Sequence, residues 1–321
     1  MTPVARAMVL LLLLATLSSE GRPKPSLVLC VSDEASGQLS LVDLKARAMI
    51  ATIPVGDRPR RMRLVPGARQ VMVAVRGGLA VVDLASRRLE RTIAGGDAPE
   101  TFDLSGDGTR AFVSNQDPAG VSILEVETGH TLGTVNVAAE PEGVTMSPDG
   151  RAVFVTSQAE NLVFVIDVPT HAVVARIPTG KRPRAVLFSA DGKKAWVSNE
   201  GDGTLTIIDV TARKPTSTLV LPANAQPMGM ALAPDGARLY VTSGQGRSLL
   251  IVDARKDTVV KTIVEVGARP LGVAVSHDGK WVATANGPSN DVTIIDASRG
   301  KVVARVPAGE SPWGVVFLEP P

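Results

Sequence analysis

Internal repetition at a period of about forty residues constrains this chain more than any other feature. An apolar run ending in a carboxylate recurs as LSLVD, LAVVD, VSILE, VFVID, LTIID, LLIVD and VTIID. Its acidic residues are Asp43, Asp83, Glu125, Asp167, Asp209, Asp253 and Asp296, spaced 40, 42, 42, 42, 44 and 43 apart. A proline behind a Gly-containing loop keeps step with it: Pro59, Pro99, Pro141, Pro183, Pro227, Pro270 and Pro312. Two anchors of equal count and nearly equal period establish a repeat.

Each unit reads as four short strands separated by turn residues. Around Pro141 the pattern predicts strands over 143–147, 152–156, 162–167 and 172–177, with Pro148-Asp149-Gly150 turning between the first two. Four strands in about 42 residues, seven times over, predict an all-β, seven-bladed β-propeller with four-stranded blades. The chain enters in a second-type strand (27–32) and leaves in a first-type strand (314–318). The C-terminal strand should therefore join three N-terminal strands and close the ring. An open solenoid would instead need capping units and would expose its edges.

The N-terminus reads as an export signal. Arg6 precedes an apolar run from Ala7 to Leu17, and small or polar residues follow at Ser18 and Ser19. Eleven apolar residues are too few to cross a bilayer core of about 30 Å. The expected organisation is a signal peptide over 1–19, a short linker over 20–25, the propeller over 26–318 and a tail over 319–321. A periplasmic location follows, with no integral membrane segment after cleavage. Cys30 is not a lipidation site, because Leu29 stands where such a box wants a small residue.

Composition removes whole classes of chemistry. The single cysteine excludes intramolecular disulfides, cysteine-ligated zinc or iron–sulfur centres and a CxxCH haem attachment. Lys plus Arg number 34 against 32 Asp plus Glu, so no basic footprint for nucleic acid is present. His130, His171 and His277 fall in turns, and no GxSxG elbow accompanies them. No cofactor is expected.

The second-strand texts AFVSN (111–115), AWVSN (195–199) and LYVTS (239–243) resemble the YVTN family of propeller repeats. The stretches ATIPVGDRPR, APETFDLSGDG, AEPEGVTMSPDG, AWVSNEGDGTLTIID, NGPSNDVTIID and SPWGVVF resemble, in this order, the propellers associated with catabolism dependent on pyrroloquinoline quinone (PQQ). The likeness spans about 26–318. It implies an exported protein linked with PQQ-dependent alcohol oxidation and a transport system, with a periplasmic protein partner from that system. It implies a process and no catalytic residue.

The repeated carboxylates read as hairpin caps, one per blade. Phe112, Phe154, Trp196, Tyr240 and Trp281, with Cys30 and Met72, share one strand phase and read as packing between blades. Function on a repeat scaffold lies where the blades differ. The residues just after the anchor prolines are Arg60, Glu100, Glu142, Arg184, Met228, Leu271 and Trp313. They predict a charged arc and an apolar arc around one funnel, the default binding concavity. Strand alternation places Arg61 and Arg63 on the face opposite Arg60. The leading expectation is a non-enzymatic binding or scaffold protein, accessory to PQQ-dependent alcohol catabolism. Its funnel rim would take a small anionic ligand or a protein partner at Arg60, Glu100, Glu142, Arg184, Trp313, Asn115, Asn199 and Asn286. The alternative is a lactonase-like hydrolase on the propeller axis. Glu100, Glu142, Asn115, Asn199 and Asn286 would then surround a divalent cation held by oxygens.

Overall fold

The computed structural model describes residues 26–318. The expected signal peptide and tail lie outside them. Seven four-stranded antiparallel sheets form a ring. The inner strands, in ring order, are Pro312–Leu318, Met62–Leu64, Pro99–Leu104, Pro141–Met146, Pro183–Phe188, Pro227–Leu232 and Pro270–Val275. Pro312–Leu318 pairs with Val28–Asp33, which pairs with Gln38–Asp43 and then Ala48–Pro54, so three N-terminal strands and one C-terminal strand close the ring as expected. No helix among the described residues is long and apolar enough to cross a membrane.

The core lies between blades rather than in one centre. Cys30 and Leu41 of the closing blade pack on Val71, Val73 and Val82 of the next. The aromatic slot behaves as its phase implies: Phe112, Phe154, Trp196 and Tyr240 are fully buried, and Phe154 meets Phe188 of the following blade edge-on with centroids 4.9 Å apart. Burial pushes the Cys30 thiol well above its ordinary pKa and leaves it inert. The repeated carboxylates cap turns: Asp43 accepts the Ala46 N–H at 2.7 Å, Asp209 that of Ala212 at 2.8 Å, and Asp296 that of Arg299 at 2.9 Å.

Six of the seven inner strands start at the anchor proline, earlier than the pattern predicts, because the pairing contains a bulge; the exception is Met62–Leu64, which begins after Pro59. Pro141 opposes Ser157, and the register then slips before Val144 meets Val155. A bulge frees an N–H and re-aims side chains. The freed N–H is satisfied by the Ser or Thr of the AFVSN-type text. Gly143 N–H donates to Thr156 Oγ1 at 2.8 Å, and Thr156 Oγ1 donates to the Arg184 carbonyl of the next blade at 3.0 Å. The same double bond recurs through Ser32 to Arg60, Ser114 to Glu142, Ser198 to Met228 and Thr242 to Leu271. These carbonyls belong to the funnel residues, so in five of the seven blades one hydroxyl fixes both the inner strand and its neighbour. The blade after the bulge must approach closely: a Cβ on Gly143 would stand 2.2 Å from the Arg184 carbonyl oxygen.

Asp33 occupies the strand-end slot filled by Asn115, Asn199 and Asn286 in other blades. Ser40 Oγ donates to its Oδ2 at 2.6 Å, while Oδ1 is buried without a partner. Burial pushes this carboxyl up to about 7, against the lowering effect of Ser40 and the Gly309 N–H. The folded state therefore holds a proton that the unfolded state releases, and stability falls as pH rises from about 4 towards 7.

Two outcomes are expected. Thr242→Val, which leaves the Gly229 N–H and Leu271 carbonyl unbridged, should destabilise by about 1–3 kcal/mol in denaturant titration. Asp33→Asn should raise Tm at pH 8.5, by no more than roughly 4 kcal/mol in stability, with the gain fading towards pH 4.

Candidate functional site

Six anchor prolines open inner strands, Pro59 stands ahead of the seventh, Met62–Leu64, and the residue behind each proline lines the axis. Arg60, Glu100, Glu142, Arg184, Met228, Leu271 and Trp313 all line one axial cavity of about 340 Å³. That volume suits a monosaccharide-sized ligand. Arg60, Glu100, Glu142, Arg184 and Trp313 are thus brought together as the sequence predicts. Asn115, Asn199 and Asn286 are not. They are buried at strand ends, where Asn199 Nδ2 donates to Thr204 and Thr206 hydroxyls at 2.9 Å each and Asn286 Nδ2 donates to Asp291 at 2.7 Å. Asn115 Nδ2 reaches Ser122 Oγ at 3.1 Å. Their amides tie the second strand to the third within a blade, and none of the three lines the axial cavity.

Arg61 lines the same cavity as Arg60, contrary to strand alternation. The Arg60 N–H donates to the Ala74 carbonyl and the Ala74 N–H donates to the Arg61 carbonyl, both at 2.9 Å, so two residues oppose one. That bulge turns consecutive side chains towards one side. Arg63 lies further along and pairs with Asp103 at 2.7 Å.

The charged arc resolves into two arginine-centred arrays. Arg60 bridges Glu34 Oε1, at 2.8 Å from Nε, and Glu100 Oε2, with Arg58 standing 3.6 and 3.7 Å from the same two acids. Arg184 bridges Glu142 Oε1 at 2.8 Å and Glu200 Oε2 at 2.7 Å. Glu34 and Glu200 were missed from sequence, yet a signal existed: both follow the strand-end slot, in Ser32-Asp33-Glu34 and Ser198-Asn199-Glu200. Gln116, at the equivalent place, lines the cavity too. Burial raises the Glu142 carboxyl above the ordinary glutamate range, while Arg184 and Arg60 pull it back. Facing this arc, Met228, Leu271 and Trp313 supply an apolar wall.

This donor set does not suit a divalent cation. Among the described residues no three His, Cys, Asp or Glu side chains cluster as metal ligands, and Glu100 and Glu142 are each held by a guanidinium that would repel one. Anionic or polarised oxygens are the natural partners of such arginines.

Two family models match parts of the chain. One described as a YNCE-like beta-propeller matches residues 96–191, and one described as the cytochrome D1 heme domain matches 196–314. Among the described residues the axial wall carries no His, Cys or Tyr; Met228 and Met230 line it, beside a surround rich in Arg and Glu. No curated protein matches the chain. Among solved structures, the Pseudomonas aeruginosa periplasmic gluconolactonase PpgL superposes with TM-score 0.76 at 24% identity, covering 92% of this chain and 100% of that one. A Bacteroides fragilis protein described as a candidate 6-phosphogluconolactonase superposes with TM-score 0.77 at 16% identity, covering 94% and 99%. Kuenenia stuttgartiensis hydrazine synthase superposes with TM-score 0.74 at 21% identity, covering 80% and 88%. Fold and matches together define a seven-bladed β-propeller protein. The expectation of a non-enzymatic chain is corrected by these neighbours, because propellers named as lactonases share its whole ring.

Arg184→Met would leave Glu142 and Glu200 without their shared cation. The expected loss is roughly 3 kcal/mol at pH 7.5, shrinking towards pH 4 as the buried Glu142 carboxyl, already raised by desolvation, takes up a proton. Thermal unfolding at the two pH values checks it.

Proposed function

We propose that this protein is a hydrolase of sugar-type lactones acting in the axial funnel. The observation that carries the reading is the pair Glu142–Arg184: a buried carboxylate with a raised pKa beside a guanidinium, on the cavity wall. Lactone hydrolysis needs a base for water and a cation for the oxygen that becomes negative. Glu142 takes the proton as water adds to the lactone carbonyl carbon. Arg184 and Arg60 offer N–H groups to the developing oxyanion. The ring C–O bond then breaks, and the ring oxygen leaves as a hydroxyl on receiving the proton from Glu142. Water and lactone become a hydroxy acid, which ionises at neutral pH. Trp313, Met228 and Leu271 form the wall against which the C–H face of a sugar ring packs.

This reading needs no metal. It is supported by the lactonase names among the superposed propellers, and it replaces the metal-centred version of the alternative. It also gives the resemblance to PQQ-associated propellers a chemical sense. Quinone-dependent oxidation of a cyclic hemiacetal yields a lactone, and a periplasmic hydrolase would consume it beside the oxidising system, its proposed partner.

The test is lactone hydrolysis followed by pH-stat with the purified chain. Glu142→Gln is expected to lower kcat at least 100-fold. The wild-type rate should fall with decreasing pH through a pKa above the ordinary glutamate value, since the base must be ionised. No acceleration over the uncatalysed rate, or an unaffected kcat in Glu142→Gln, would overturn the proposal.

A further inference from the structure

One cation on the axis is left over by the arrays described above. Arg61 lines the cavity, its Nε is buried, and among the described residues no hydrogen bond or ion pair reaches its guanidinium. The acid nearest to it in effect, Asp103, is already held by Arg63 at 2.7 Å. Arg60 and Arg184 are each bridged between two glutamates, so neither is in this condition.

The repeat shows that Arg61 is not demanded by the scaffold. Its place in the other blades is taken by Thr101, Gly143, Ala185, Gly229, Gly272 and Gly314, all small. Four of these are glycines because the neighbouring inner strand passes within 2.2 to 2.7 Å of where a Cβ would stand. The blade holding Arg61 relaxes that packing. Its inner strand has only three residues, and Ala74 stands where five other blades carry the bridging hydroxyl. Three departures from the repeat therefore coincide at one position, and together they admit a long cationic side chain to the axis. Local violations of a scaffold's own rules concentrate at functional sites. Burial and the neighbouring Arg63 lower the Arg61 pKa to about 9, a penalty that a bound anion would offset.

We infer that Arg61 is the anchor for a carboxylate carried by the substrate, so that the funnel selects lactones bearing a second, free carboxylate over neutral ones. The inference rests on the hydrolase reading and specifies its substrate class. A single unpaired guanidinium matches a carboxylate, which it can hold through two parallel N–H···O bonds. The second charge of a phosphate dianion would face no further free cation in the throat, since Arg269, also without an ion pair, lies at the exposed rim. In the reaction, water adds to the lactone carbonyl and the ring C–O bond breaks. The product is a hydroxy-dicarboxylate, and one proton is released.

The experiment compares three lactones on the same six-carbon skeleton, ending in a hydroxymethyl, a carboxylate or a phosphate. Wild-type kcat/KM is expected to favour the carboxylate lactone by roughly 10- to 100-fold over the neutral one. Arg61→Gln should bring that ratio close to one, and Arg61→Lys should restore part of it. A wild-type ratio near one, a ratio unchanged in Arg61→Gln, or a preference for the phosphate lactone would overturn the inference. Thermal shift with the open-chain dicarboxylate and monocarboxylate separates it from the hydrolase reading. If no lactone is turned over but the dicarboxylate still raises Tm in the wild type and not in Arg61→Gln, the hydrolase reading fails and the carboxylate subsite stands. If lactones are turned over and the dicarboxylate gives no shift, the subsite fails alone.

Discussion

The axial site rests on one hydrogen-bond relay between adjacent blades, made in five of the seven. A bulge behind the anchor proline frees a backbone N–H, and in these blades a Ser or Thr hydroxyl on the second strand accepts it while donating to the next blade's funnel carbonyl. One hydroxyl oxygen can do both at once, which a methyl cannot. The relay ties the backbone of Arg60, Glu142, Arg184, Met228 and Leu271 to a neighbour, so the side chains that face the cavity start from fixed points. Preorganised groups of that kind are what electrostatic catalysis requires.

That constraint explains what could be read from the chain beforehand. The anchor prolines lock the phase of seven inner strands, so the residues behind them could be assigned to one cavity without coordinates, and Arg60, Glu100, Glu142, Arg184 and Trp313 do meet there. The serine or threonine of AFVSN and LYVTS was visible as a repeated letter, but its work lies in a contact between blades that periodicity does not display. Asn115, Asn199 and Asn286 show the converse. They sit near the funnel in sequence and look chemically able, yet they satisfy strand-end hydroxyls.

Arg61 and the question of activity were illegible for different reasons. Alternation of side chains assumes an unbroken ladder, and the bulge at Arg60–Arg61 breaks it, returning Arg61 to the side it was expected to leave. The proposed base was hidden because no repeated letter carries it. Glu142 becomes a candidate base only through burial and the approach of Arg184 and Arg60, which are properties of space and not of spacing. The near-neutral composition likewise gave no hint of a lining with five arginines against three glutamates.

The claim at the centre of this account is that the arginine–glutamate arc opposite Trp313 binds the reacting carbonyl group. A crystal structure of the protein with the ring-opened hydroxy acid tests it most directly. The expected result is the product carboxylate within hydrogen-bond distance of Arg60 and Arg184, with its carbon chain against Trp313. A product bound away from the axis, with the Arg60–Glu100 and Arg184–Glu142 pairs closed and untouched, would contradict it.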